Sequence, residues 1–193
     1  MNEEDQKKRE RQVADFVFNL SQLDDGNRAR LKRNAGKSLA ESRDVQLLFY
    51  GRVLPRGIPE WQEERYFLLA TLYPLDKAQR DRDRRTSGPD KAAQPAGSPE
   101  SFGKSLRRAR TEDNQSGLDS RFARLLDAAV DELPFHLRQV VKRLTNDWTP
   151  IDWAQLTKDI LAWDQAGRRV QRRWARDYVY VAAAPHDQPL QTS

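Results

Sequence analysis

The most constraining feature of this sequence is a stretch, residues 76–100, that contains no Val, Ile, Leu, Met, Phe, Tyr or Trp. It is rich instead in Gly, Pro, Ser and charged residues. A segment without large apolar side chains has nothing to bury in return for the entropy lost on ordering. We therefore predict a flexible linker or surface loop here, between an N-terminal lobe at 1–75 and a C-terminal lobe at 101–181. The polar residues 182–193 are expected to form a disordered tail.

Outside this stretch, the apolar residues recur at the spacing of an α-helix, and no part shows sustained alternation of apolar and polar residues. Helix boundaries are also marked. Asp24 or Asp25 can cap a helix that Gly36 ends, and Pro59 suits the first turn of a later helix. We therefore predict an all-α fold in which two small helical bundles are joined by a long polar linker.

The residue types that enzymes and metal sites require are scarce. The chain has no Cys and only two His, His136 and His186, and neither has a second strong ligand at metal-binding spacing. The Asp and Glu residues are scattered rather than clustered. The Gly-Lys-Ser string at 36–38 lacks the first glycine of a phosphate-binding loop, because that position is Leu31. The sequence predicts no catalytic residue, no metal site and no cofactor.

No segment is suited to secretion or to a membrane. Residues 1–12 are highly charged and cannot form the apolar region of a signal peptide. The longest mainly apolar run, at 66–73, is far shorter than the roughly 20 residues that span a bilayer. We expect a cytoplasmic protein with no membrane partner.

The chain is basic, with 34 Lys and Arg residues against 29 Asp and Glu and a formal net charge of +5. This balance alone does not distinguish a nucleic-acid-binding protein from an ordinary helical protein. The distribution says more, because the basic residues form four groups without any acid: 26–40, 104–110, 138–143 and 168–176.

The last of these groups is strongly amphipathic if it is helical. At 100° per residue its arginines fall within an arc of about 140°, while Val170, Trp174 and Tyr178 lie on the opposite side. Exposed helices usually pair acids with bases, but here only Asp164 and Asp177 lie near the ends. A row of like charges is costly unless an anion neutralises it, and Arg binds phosphate through parallel hydrogen bonds. We therefore predict phosphate binding rather than a merely solvated face.

The tryptophans are a second candidate for contacts with nucleic acid, because nucleobases stack on aromatic side chains. Four of them lie at the spacing of core residues and are predicted to be buried: Trp61, Trp153, Trp163 and Trp174. Trp148 lies in the loop before Thr149 and Pro150 and stays open as a stacking residue.

Short motifs follow one another between Val13 and Tyr180: Gly26-Asn27-Arg28-Ala29, Leu31-Lys32-Arg33, Phe49-Tyr50, Glu64-Arg65-Tyr66-Phe67-Leu68-Leu69-Ala70, Phe102-Gly103-Lys104-Ser105-Leu106-Arg107-Arg108, Ser120-Arg121-Phe122, Leu125-Leu126, His136-Leu137-Arg138, Ile151-Asp152-Trp153 and Gln171-Arg172-Arg173-Trp174-Ala175-Arg176. Each is weak alone, but the ordered series resembles the CasB family, the small subunit of type I-E CRISPR Cascade complexes.

The resemblance implies an all-α protein of two helical bundles with neither catalytic activity nor cofactor. It also implies the partners: guide RNA, target DNA including its displaced strand, other Cascade subunits and a second copy of the chain. In that family the small subunit supports the guide–target hybrid and holds the displaced strand in a basic groove. Backbone contacts of this kind can tip strand exchange, because replacing a DNA duplex by an RNA–DNA hybrid is close to balanced in free energy.

The predicted nucleic-acid-binding residues are all basic: Arg28, Arg30, Arg33, Lys37, Lys104, Arg107, Arg108, Arg121, Arg138, Lys142, Arg143, Arg169, Arg172 and Arg173. An alternative is a scaffolding subunit whose basic faces bind acidic protein partners. Binding to single-stranded DNA with a strong salt dependence would distinguish the two functions.

Overall fold

The computed structural model describes residues 3–86 and 99–180. The helices before the gap are α1 (Glu3–Ser21), α2 (Asp25–Arg33), the single turn α3 (Gln46–Leu48), α4 (Glu60–Leu72) and α5 (Lys77–Thr86). Shorter 3-10 or π turns lie at Arg43–Val45, Phe49–Val53 and Tyr73–Leu75. The helices after the gap are α6 (Phe102–Ala109), α7 (Gln115–Asp127), α8 (Leu133–Asn146), α9 (Trp153–Leu161) and α10 (Arg169–Val179). These two ranges contain no β-strand, and the predicted all-α fold is confirmed.

The helix boundaries follow from local side-chain chemistry. The Asp24 carboxylate accepts the backbone N–H of Asn27 at 2.8 Å and so begins α2. Gly36, just beyond the end of α2, has a φ of +87°, which glycine adopts without the cost that a Cβ imposes. Asp152 begins α9 in the same way, by accepting the N–H of Gln155 at 2.9 Å. The boundaries predicted at Asp24 and Gly36 are therefore present.

Helix α5 lies inside the segment that was predicted to be a flexible linker, so that prediction is wrong for residues 76–86. Buried carboxylates, rather than apolar side chains, attach α5 to the protein. Asp76 accepts the indole N–H of Trp153 at 3.0 Å, and Asp83 pairs with Arg28 at 2.8 Å. Burial raises the pKa of the Asp76 carboxyl. A search for large apolar residues cannot detect a helix that is held in this way.

The two predicted lobes, 1–75 and 101–181, share one apolar core instead of packing separately. Helices α1 and α4 both pack against α9, and α4 also packs against α8. The side chain of Arg65 on α4 fixes this junction, because it donates to the carbonyl of Leu161 at 2.8 Å and pairs with Asp164 at 2.8 Å. Of the rest of the predicted division, residues 87–98 and the tail at 182–193 lie outside the described residues.

Helices α6 and α10 pack most closely at Gly103. A Cβ atom built on Gly103 would lie 2.2 Å from the carbonyl oxygen of Trp174, so only glycine allows this approach. The buried indole of Trp174 lies between Phe102 and Trp163, with ring centroids 4.9 Å and 5.2 Å away. This packing fixes which side of α10 faces the core and therefore which side faces solvent.

Three of the four tryptophans predicted to be buried are in the core, namely Trp153, Trp163 and Trp174. Trp61 is not, because 65% of its surface is exposed in the first turn of α4. None of the helices in the described ranges is long and apolar enough to cross a membrane.

Candidate nucleic-acid interface

Helix α10 has the two sides that the sequence predicted. Val170, Trp174 and Tyr178 are buried. On the other side Arg169, Arg172 and Arg176 are exposed, and their guanidinium groups form no ion pair or hydrogen bond within 3–86 and 99–180. Three positive charges on one short helix face are thus left for an external anion.

Arg173 differs from its neighbours, because it is engaged inside the protein. Its guanidinium pairs with the carboxylate of Asp159, which is only 2% exposed. The same carboxylate accepts the indole N–H of Trp174 and the amide of Gln155, both at 2.6 Å. Arg173 therefore neutralises a buried charge and does not belong to the exposed row formed by Arg169, Arg172 and Arg176.

The group on α6 lies beside the carboxyl end of α10. Arg107 donates to the backbone carbonyls of Asp177 at 3.0 Å and of Tyr180, so it compensates carbonyl groups that the helix leaves unpaired. Arg108 pairs with Glu100 at 2.6 Å. Lys104 is exposed and has no side-chain partner among the described residues. The structure thus brings the second and fourth sequence groups together but leaves only Lys104 of α6 unpaired.

The basic group on α8 (138–143) meets the part of the first basic group that follows α2, at the junction of the lobes. The side chain of Arg138 lies directly over Gly36, where an added Cβ would be 3.0 Å from the Arg138 Cδ. The next residue, Lys37, is exposed and has no hydrogen bond or ion pair from its side chain in the described structure, although its charge adds to the hydrogen bonds of Ser38 in lowering the pKa of Glu41. Lys142, one turn beyond Arg138 on α8, is also exposed and unpaired there. Arg143 is partly neutralised by Asp147 at 3.3 Å.

Arg28 does not belong to any exposed surface, and its prediction as a binding residue is corrected. It is 6% exposed, and its guanidinium donates to Asp83 at 2.8 Å and to the carbonyl of Leu23 at 2.8 Å. Arg30 on the same helix donates to the backbone carbonyl of Asp44. The sequence did not reveal the pairing of Arg28, because its partner lies in the segment that was predicted to be a linker.

Among the described residues, Arg121 on α7 has only a local partner, the carbonyl of Gly117 one turn earlier, at 3.1 Å. Its neighbour Asp119 faces α10 and accepts hydrogen bonds from the Tyr178 hydroxyl and from Arg110. The hydrogen bond from Tyr178, with that from Arg110, lowers the pKa of the Asp119 carboxyl. Burial, with this same contact, raises the pKa of Tyr178.

Only some of the predicted residues are therefore exposed and have side chains without a hydrogen-bond or ion-pair partner in the described structure. From the prediction they are Arg33, Lys37, Lys104, Lys142, Arg169 and Arg172. Exposed residues with the same properties that the predicted set omitted include Lys32, Arg124 and Arg176. Arg176 could have been found from the sequence, because it lies in the same helical arc as Arg169 and Arg172.

No group of three or more His, Asp or Glu side chains that could hold a metal ion occurs within the described ranges. His136 is half-buried on α8, and its ring meets that of Phe135 edge to face with centroids 5.2 Å apart. The exposed Lys and Arg side chains can instead attract anions by charge and hydrogen bonding.

Fold and surface together define an all-helical protein with unpaired basic side chains on the exposed faces of several helices. A family model described as CRISPR-associated protein Cse2 matches residues 27–179. The chain belongs to this family, which confirms the resemblance inferred from the ordered motifs.

Individual relatives agree with this assignment. The CRISPR-associated protein Cse2 of Thermus thermophilus is 34% identical over 149 residues, which cover 72% of this chain and 74% of the relative. The fold is similar to that of M. ruber CasB, with a TM-score of 0.64 and 24% identity over 88% of this chain and 92% of the other. It is also similar to a chain of a CRISPR RNA-guided surveillance complex, with a TM-score of 0.68 and 22% identity at the same coverage.

Proposed function

We propose that this protein is the non-catalytic small subunit of a CRISPR RNA-guided surveillance complex of the Cascade type. In this role it acts in the cytoplasm beside other Cascade subunits and a second copy of itself. Its basic helix faces hold the backbones of the guide RNA–target DNA hybrid and of the displaced DNA strand. Membership of the Cse2 family supports the assignment, as does the likeness to a chain from a CRISPR RNA-guided surveillance complex.

The observation that carries the nucleic-acid contact is the exposed face of α10. Arg169, Arg172 and Arg176 are exposed and lack internal partners among the described residues. Unpaired guanidinium groups repel one another, and phosphates both remove this repulsion and fit the planar donor geometry of Arg. Binding of this kind depends on charge rather than on base identity.

The same contacts explain how a subunit without chemistry can contribute to strand opening. Exchanging a DNA duplex for an RNA–DNA hybrid is nearly balanced in free energy. A few backbone contacts to the opened strands therefore shift the equilibrium, provided that they do not bind the closed duplex equally well. Lys104 on α6 and Lys142 on α8 extend the set of unpaired cations beyond α10.

The test replaces Arg169, Arg172 and Arg176 together by Gln and measures binding to single-stranded oligonucleotides over a range of salt concentrations. The slope of log affinity against log salt should flatten by about 0.7 for each phosphate that is no longer bound, and the affinity should fall similarly for different sequences. The midpoint of urea unfolding should stay unchanged, because these side chains have no partner within the described structure. Arg173 is kept, because its removal would leave Asp159 as an unpaired buried charge.

A charge-matched control replaces Arg43, Arg52 and Arg56, which are exposed in the N-terminal lobe, by Gln. This control should change the slope much less than the α10 variant. In the assembled complex, the α10 variant should weaken stable strand opening more than guide binding. If the α10 variant keeps both its affinity and its salt slope, the face is only solvated. That result would support the alternative function, in which the basic faces bind acidic proteins instead of nucleic acid.

A further inference from the structure

Trp148 occupies a backbone position that normally belongs to glycine. It follows α8 with a φ of +54°, in the left-handed region. The N–H of Thr149 then donates to the carbonyl of Leu144 at 3.0 Å, which is the closing bond of a Schellman motif. The residue before Thr149 in that motif is usually Gly, because a Cβ makes the left-handed conformation costly. A bulky residue in this position therefore requires an explanation.

Contacts inside the protein do not provide that explanation. The Trp148 side chain is 56% exposed, and it forms no hydrogen bond or ring contact with the described residues. The other left-handed residue within 3–86 and 99–180 that is not glycine, Arg168 with a φ of +50°, is different. Its guanidinium pairs with Asp127 at 3.2 Å and donates to the carbonyl of Leu126, so the fold itself uses that side chain.

Helix α8, which Trp148 follows, carries an exposed cation and a second exposed aromatic ring. Lys142 is exposed on α8 and has no side-chain partner within the described ranges. Phe135 in the first turn of α8 is 61% exposed, and it precedes Lys142 by seven residues, which places both on one side of the helix. Exposed rings therefore flank the basic part of α8, one near each end.

We propose that Trp148 is a stacking platform for an unpaired nucleobase of a single strand whose phosphates contact Lys142, and that Phe135 is a second platform at the other end of α8. Proteins that bind single strands without reading sequence combine cations for the backbone with aromatic rings for the bases. This assignment rests on the proposed nucleic-acid function and adds selectivity to it. Charge alone attracts duplex and single strand alike, whereas a stacking ring requires a base that is not paired.

The test uses Trp148→Gly, which gives the Schellman position its preferred residue, and Trp148→Phe, which keeps an aromatic face. The Gly variant should bind a single-stranded oligonucleotide about five- to hundredfold more weakly, as expected when one base can no longer stack. Its salt slope and its affinity for duplex DNA should not change, because no charge is removed. The Phe variant should retain most of the affinity for the single strand, whereas a purely structural role would not separate the two variants in this way.

Trp61→Ala is the matched control, because Trp61 is similarly exposed but lies on α4. It should leave the affinity for the single strand unchanged, and oligonucleotide quenching of tryptophan fluorescence should persist in it but disappear in Trp148→Phe. If Trp148→Gly binds the single strand as tightly as the wild type and shows the same fluorescence quenching, the stacking proposal is wrong, whereas the proposed function is unaffected. An unchanged salt slope in the α10 variant would instead contradict the proposed function. Equally weakened binding of duplex and single strand would also rule out stacking.

Discussion

Helices α2 and α10 both carry several arginines, but Arg28 on α2 and the outer arginines of α10 have opposite surroundings. On α2, Arg28 is turned into the protein and held by Asp83 of α5. On α10, Arg169 and Arg172 face solvent without a partner in the described structure. The difference is set by what packs above each helix. Asp83 of α5 lies against Arg28, whereas the apolar side of α10 packs against α6.

The comparison shows that a group of arginines in a sequence has two possible uses. A buried arginine stabilises the fold and cannot contact a ligand. An exposed arginine contributes little to folding, because surface charges are screened by water and salt. Mutations should therefore separate the two helices by the property that changes, namely stability for α2 and affinity for α10.

The largest effect is expected when the partner of the inward arginine is removed. Asp83→Ala leaves both Arg28 and the hydroxyl of Tyr73 without their shared acceptor in the interior. Breaking a buried ion pair in this way should lower the free energy of unfolding by about 3–5 kcal/mol, measured by urea denaturation. Arg33→Ala, on the exposed side of the same helix, is the control and should change it by less than about 0.5 kcal/mol.

A double variant sharpens this result. Arg28→Met combined with Asp83→Leu removes both charges and should be less destabilised than Asp83→Ala alone, since no buried charge is left unpaired. If Asp83→Ala costs less than about 1 kcal/mol, α5 is readily displaced, and Arg28 becomes available to solvent after all. The contrast between the two helices would then disappear.

An intermediate effect is expected from the inner side of α10, where α6 approaches it. Gly103→Ala places a Cβ against the carbonyl of Trp174, so the helices must move apart, and this should cost about 1–3 kcal/mol. Gly117→Ala on α7 is the control, because its Cβ meets only the flexible end of Arg121. That control should be neutral or should stabilise the protein by up to about 1 kcal/mol. Equal effects would show that the α6–α10 contact is loose.

The smallest effect depends on pH and concerns Asp119, which joins α7 to α10. Its pKa is lower in the folded protein than in the unfolded chain, so its contribution to stability is present above pH ~4 and is lost as pH falls through the folded pKa. Asp119→Asn should reduce stability at pH 7 by less than about 1 kcal/mol, because the group is partly exposed. Urea unfolding at several pH values should show this difference shrinking in acid. A difference that grows in acid would contradict the contact with Tyr178.

Periodicity was sufficient to predict most helices and the orientation of α10. Val170, Trp174 and Tyr178 are buried as predicted, because one helix determines which of its residues share a side. The sequence could not predict which residues of other segments would meet that side. Arg28 and Asp83 are 55 positions apart, and Arg173 finds Asp159 on a different helix. The predicted interface therefore contained several arginines that the fold had already neutralised.

The contact of Arg65 between the lobes has a further consequence for any long polyanion that binds both of them. Arg65 connects α4 to Leu161 and Asp164, and a continuous core lies beneath this connection. The spacing between the cations near Gly36 and those on α10 is therefore determined when the chain folds, before a ligand arrives. The polymer must adjust its own path to this fixed spacing. Most of the conformational entropy lost on docking then comes from the polymer rather than from the protein.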